Sequence, residues 1–100
     1  MGLFSIFSNK GNKLKEFAEK GAIVVDVRTP GEFKSGHGKG ARNIPLQNIG
    51  AKTAELKKLN KPIILCCASG MRSAQATDIL KKAGIDCMNG GSWGKVDRSI

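Results

Sequence analysis

Residues 62–73 read Pro-Ile-Ile-Leu-Cys-Cys-Ala-Ser-Gly-Met-Arg-Ser, and this stretch limits the fold more than any other. Ile63 to Cys67 show no polar alternation, the pattern of a central strand covered on both faces. Small residues follow, and from Ser73 a helical period takes over, with Ala76, Ile79, Leu80 and Ala83 on one face. Gly84 ends that helix after Lys81 and Lys82, which suit its negative end. A strand, a tight loop and a helix in this order predict a parallel α/β unit with Cys67 at the carboxyl edge, where open sheets place their ligands.

Ala68, Ser69 and Gly70 have little bulk, so backbone N–H groups from Ala68 to Ser73 are expected to converge on the Cys67 sulfur. A cysteine facing a helix N-terminus has its thiol pKa lowered, to about 3.5–7.5 at the extreme. Cys67 is therefore a candidate thiolate nucleophile; burial as an inert core residue is the alternative for any free cysteine. In an extended strand Cys66 points away from Cys67, and a disulfide between neighbours is strained. Packing is expected for Cys66 and Cys87, a resolving role for Cys66 being the lesser alternative. Adjacent cysteines and the single distant His37 do not match zinc spacing, so neither metal nor cofactor is expected. No cysteine stands three residues after Cys67, which excludes a thioredoxin-type pair.

Elsewhere, Asn12 is expected to cap a short helix carrying Leu14, Phe17 and Ala18, ended by Gly21. Residues 22–27 predict a second buried strand. Thr29 and Pro30 read as a cap and a first helical residue. Glu32, four residues after Arg28, predicts a local ion pair. Pro45 restricts residues 41–45 to an edge segment. Leu46, Ile49, Thr53, Leu56 and Leu59 share one face of a helix ending near Asn60. Residues 85–88 predict a last short strand, with Gly90 and Gly91 releasing the chain. Strands alternating with helices specify an α/β fold: a small, mainly parallel sheet with helices on both faces.

Cys67-Ala68-Ser69-Gly70-Met71-Arg72-Ser73 resembles the active-site loop of rhodanese-like sulfurtransferases. Asp26-Val27-Arg28, Gly36-His37 followed by Gly40-Ala41, Asn43-Ile44-Pro45, and Gly90-Gly91 followed by Trp93 also match that family, in its order. Gly38 and Lys39 stand where the family usually has an aliphatic residue and a proline. The resemblance implies a rhodanese-like three-layer fold, with residues 12–100 as a single domain after a short extension over residues 1–11. It implies a Cys67 persulfide that moves sulfur from thiosulfate or a similar small anionic donor to cyanide, a thiol, or a thioredoxin-like or other protein acceptor. Asp26 and Arg28 would then be scaffold residues near the loop. Four residues separate Cys67 from Arg72; in the family this loop length goes with sulfur transfer, and one residue more with phosphate or arsenate chemistry. A relay module fed by a protein persulfide is the alternative function, and a phosphatase or arsenate reductase a more distant one. Arg72 is expected either to bind the anionic donor or to form a structural ion pair. Ser69 and Met71 are expected to line and rim the pocket, with Trp93 as its wall or as core.

The 17 basic and 8 acidic residues give a net charge of +9. The lysines are scattered, and no nucleic-acid motif is present. A solvated basic surface without nucleic-acid partners is expected. Residues 1–8 are apolar but too short to span a membrane, and are expected to pack on the domain or to be loosely ordered. Three cysteines make a poor disulfide framework, so a reducing, cytoplasmic setting is expected; a monomer is expected as well.

Overall fold

The computed structural model describes residues 2–100, and the side chains of residues 11–100. The expected packing of apolar residues 1–8 lies outside the described side chains. The Ile/Val-rich run at residues 23–26 and the apolar run at residues 63–67 form the two inner strands of a four-stranded sheet. In chain order the described elements are α1 (Gly2–Glu19), β1 (Ile23–Asp26), α2 (Pro30–Ser35), β2 (Arg42–Asn43), α3 (Leu46–Lys58), β3 (Ile63–Cys67), α4 (Met71–Lys82), β4 (Cys87–Ser92) and α5 (Trp93–Ser99). The strand order is β2-β1-β3-β4 and every pairing is parallel. β2, the segment limited by Pro45, is an edge strand, as expected.

Because successive strand residues face opposite ways, the sheet feeds two cores. On one face Val25, Val27, Ile63, Leu65 and Cys67 pack against Ile49 and Leu56 of α3 and Ala76 and Leu80 of α4. On the other, Ile64, Cys66 and Met88 meet Leu14 and Phe17 of α1 and Val96 of α5. Cys66 and Cys67 thus belong to different cores. α1 and α5 together cover the second face, and Ser92 caps α5 by accepting a hydrogen bond from Lys95 N–H.

Four local expectations are corrected. Asn12 lies inside α1, which begins at Gly2, so it caps nothing. In α4 the buried residues are Ser73, Ala76, Thr77 and Leu80, an i, i+3, i+4, i+7 set that turns Ile79 outward. Leu59 likewise falls past the end of α3 and is exposed. β4 begins at Cys87 and runs through Asn89, Gly90 and Gly91 instead of ending before them. Its register against β3 slips between Leu65↔Asn89 and Cys66↔Gly91, a bulge that leaves Gly90 over. A Cβ on Gly90 would lie 2.5 Å from Val96 Cγ2 and 2.9 Å from Ile64 Cγ2. Close packing of α5 on the sheet, not a turn, is why glycine stands there.

Candidate active site

β3 delivers Cys67 to the carboxyl edge of the sheet, and the chain turns at once into α4. Gly70 makes that turn possible: it caps α4 with φ +103, a conformation that glycine adopts readily. Its hydrogen side also passes close to β4, since a Cβ there would meet Gly91 Cα at 3.3 Å. The loop folds around the sulfur. Gly70 N–H donates to Cys67 Sγ at 3.0 Å, Ser73 N–H at 3.5 Å, and the Ser73 hydroxyl lies 3.4 Å away.

These donors decide the ionisation of Cys67. Burial pushes its thiol pKa up, but the Ser73 hydroxyl and the N–H groups of Ser73, Gly70 and Ser69 outweigh it and bring the pKa below the usual thiol value. The other two cysteines move the opposite way. Burial, with Asp26 adding to it, pushes Cys66 up to about 12, and burial pushes Cys87 up to about 11. Three free cysteines are present, and the fold lowers the pKa of Cys67 while raising those of Cys66 and Cys87.

Asn89 joins the loop to β4, a role that local pattern does not reveal because Gly90 and Gly91 read as releasing the chain from the sheet. Its Oδ1 accepts from Gly91 N–H at 3.0 Å and its Nδ2 donates to Gly70 C=O at 3.0 Å. These neighbours fix the amide orientation, so the Ser73 hydroxyl, 2.7 Å from Oδ1, is the donor in that contact. Ser73 therefore has one proton and two acceptors, Asn89 and Cys67.

The remaining loop residues face outward. Ala68 and Ser69 are exposed, and Ser69 bears on Cys67 through its N–H. Met71 stands at the rim with 76% of its surface exposed. Arg72 makes a two-point ion pair with Glu32, Nη1 to Oε1 at 2.8 Å and Nη2 to Oε2 at 3.0 Å. Arg72, with the Thr29 backbone N–H next, holds the Glu32 carboxyl at about 2. The expected Arg28–Glu32 ion pair is therefore not formed. Arg28 instead grips the buried Asp26 with Nε and Nη2 at 2.7–3.0 Å, and its Nη1 reaches only the Glu32 carbonyl. Glu32 also closes a capping box with Thr29 at the start of α2.

Asp26 and Arg28 act as scaffold for this edge. Arg28 Nη2 donates to Gly36 C=O at 2.7 Å, and Asn43 Nδ2 donates to the carbonyls of Asp26 and Arg28. Trp93 lies under the Arg28 guanidinium, 4.9 Å from ring centre to Cζ, and packs on the Cys66 core. It does not wall the Cys67 site. His37 stacks on Phe33 and its Nδ1 contacts Phe33 C=O at 2.6 Å, a structural placement. Among the described residues, no three His, Cys, Asp or Glu side chains gather as metal ligands, and no helix is long and apolar enough to cross a membrane.

A cysteine whose sulfur meets converging N–H groups at a helix start, with its pKa lowered by them, is equipped for covalent nucleophilic chemistry. Comparison with known proteins agrees with this geometry. The rhodanese-like domain model matches residues 11–92. The uncharacterized protein YqhL of Bacillus subtilis is 43% identical over 63 residues, covering 63% of this chain and 49% of YqhL. A putative mitochondrial thiosulfate sulfurtransferase of Schizosaccharomyces pombe is 33% identical over 93 residues, covering 75% of this chain and 63% of that protein. The chain thus spans between half and two thirds of these curated relatives. Among solved structures, a rhodanese with anions from E. coli superimposes with a TM-score of 0.68 at 30% identity, covering 74% of this chain and 89% of that one. The two buried strands, the Cys67 loop and these matches together place the chain in the rhodanese-like domain family.

Proposed function

We propose that the chain is a sulfurtransferase that carries sulfur as a persulfide on Cys67. The observation that supports this most is the set of donors around Cys67 Sγ, with Gly70 N–H at 3.0 Å and Ser73 at 3.4–3.5 Å. Such a cradle stabilises a thiolate before attack and the anionic outer sulfur after it. The Cys67 thiolate attacks the outer sulfur of thiosulfate or a similar donor. A sulfur–sulfur bond to Cys67 forms as the donor's own breaks, and its electron pair leaves with sulfite. A thiophilic acceptor (cyanide, a thiol or a protein cysteine) then takes the outer sulfur and frees the thiolate. Of the residues from Ala68 to Ser73 expected to converge on the sulfur, Ser69, Gly70 and Ser73 supply the cradle, and Arg72 anchors the loop to α2 through Glu32.

A second reading, relay from a protein-borne persulfide, is favoured by Met71, whose exposed apolar side chain stands at the loop rim. Thiocyanate formation from thiosulfate and cyanide is expected for the wild type and lost in Cys67→Ser. Turnover only with a persulfidated protein donor selects the relay. Hydrolysis of an aryl phosphate with no thiocyanate from either donor would overturn both.

A further inference from the structure

Arg72 is the only charged residue between Cys67 and Ser73, so it sets the charge that the loop offers a donor. Its guanidinium is already engaged at two points by Glu32, the fork geometry that makes such pairs strong. Glu32 is itself held in place. Thr29 N–H and hydroxyl donate to its Oε1 at 3.0 and 3.1 Å, and Arg28 Nη1 holds its backbone carbonyl at 3.3 Å. The pair carries no net charge, and both side chains remain about one third exposed, at 35% and 38%. A groove of about 280 Å³ opens beside it, walled by Val27, Pro30, Pro45 and Leu46 together with the polar Thr29 and Gln47, with Arg72 as its only charged lining residue. It offers apolar carbon rather than a second cation.

A dianionic donor gains little from a neutralised arginine and meets the Glu32 carboxylate as well. An organic persulfide carries at most one negative charge, on its terminal sulfur, so with an uncharged chain it incurs less of either penalty and can lay that chain on the groove. Resting on the persulfide reading above, we propose that Glu32 is a specificity-determining residue: by neutralising Arg72 it sets the site against dianionic donors and in favour of organic persulfides whose chain carries no charge. The transfer is balanced without a redox partner. The Cys67 thiolate attacks the outer sulfur of R–S–SH, the new bond forms at Cys67, the donor sulfur–sulfur bond breaks, and R–S⁻ leaves with the electron pair. The proton stays on the transferred sulfur.

The test compares wild type with Glu32→Gln, measuring KM and kcat with thiosulfate and with an alkyl persulfide whose chain carries no charge, and sulfur on Cys67 by mass. Glutamine at this helix position still completes the capping box, so α2 keeps its cap. Glu32→Ala, which removes charge and cap together, serves as the second variant and moves in the same direction. Freeing Arg72 lowers the thiosulfate KM about three- to tenfold. The ratio of the thiosulfate KM to the alkyl persulfide KM falls by that factor, the pattern of a lost charge effect on binding, whereas a loosened loop moves both donors together. Salt at about 0.5 M shrinks the thiosulfate difference, which a purely structural role would not do. An unchanged thiosulfate KM, or equal shifts for both donors, overturns the specificity role while sulfur still reaches Cys67. No sulfur on wild-type Cys67 from either donor overturns the persulfide reading and this proposal together.

Discussion

Ser73→Ala probes the thiolate cradle by removing one donor and leaving the backbone donors in place. Gly70 N–H at 3.0 Å and Ser73 N–H at 3.5 Å survive the change; the hydroxyl at 3.4 Å does not. A hydrogen bond to a charged group contributes about 1.5–3 kcal/mol, and one between neutral groups about 0.5–1.5 kcal/mol. Ser73 must withdraw its single proton from Asn89, 2.7 Å away, to give it to the ionised sulfur. The net contribution is the difference, about 1 kcal/mol, so the variant should ionise about 0.7 pH unit higher. Thiolate absorbance in the ultraviolet follows this directly. The chain has no tyrosine to interfere, and Cys66 and Cys87 are held at about 12 and about 11. Asn89→Asp should move the midpoint upward too, because a carboxylate holds the Ser73 proton more tightly and repels the thiolate. A Ser73→Ala midpoint that is unchanged or lower would show that the proton stays on Asn89 in both states and would refute the reasoning.

Three further outcomes follow from the packing and the charges. Asp26→Asn leaves the buried Arg28 guanidinium without its charge partner and should cost about 3 kcal/mol in urea unfolding, the low end for such a break because one acceptor oxygen remains; a loss under about 1 kcal/mol contradicts the scaffold role. Gly90→Ala forces a methyl into Val96 and Ile64 and should cost about 1–3 kcal/mol, read as a lower Tm; an unchanged Tm contradicts the account of the bulge. The Glu32 carboxyl, lowered from 4.5 to about 2 chiefly by Arg72, binds its proton more weakly folded than unfolded. Its contribution to stability is complete above the unfolded value and is lost as pH falls from about 4.5 towards about 2. The stability gap between wild type and Glu32→Gln should therefore narrow from about pH 6 to about pH 3, and a constant gap contradicts the pairing.

Local pattern reached as far as single elements reach. The apolar run of β3, the small residues after it and the period of α4 made the strand–loop–helix unit legible, and strand alternation put Cys66 and Cys67 in separate cores. What stayed hidden depended on partners distant in sequence. Glu32 sits four residues from Arg28, yet Asp26 takes Arg28 first and leaves Glu32 for Arg72, forty residues on. Gly90 and Gly91 read as releasing the chain, but α5 presses on Gly90 so closely that the segment stays in the sheet. Asn89, a link from β4 to the loop, went unseen with it. Ser73 was visible as a loop residue, but its hydroxyl geometry required the position of β4.

The central claim, that Cys67 carries the transferred sulfur, is tested most directly by intact mass and peptide mapping after incubation with thiosulfate or an organic persulfide. The account predicts a gain of one sulfur atom on Cys67, removable by cyanide and absent in Cys67→Ser, with sulfite released in step when thiosulfate is the donor. No gain from either donor, or a gain that persists in Cys67→Ser, would contradict it.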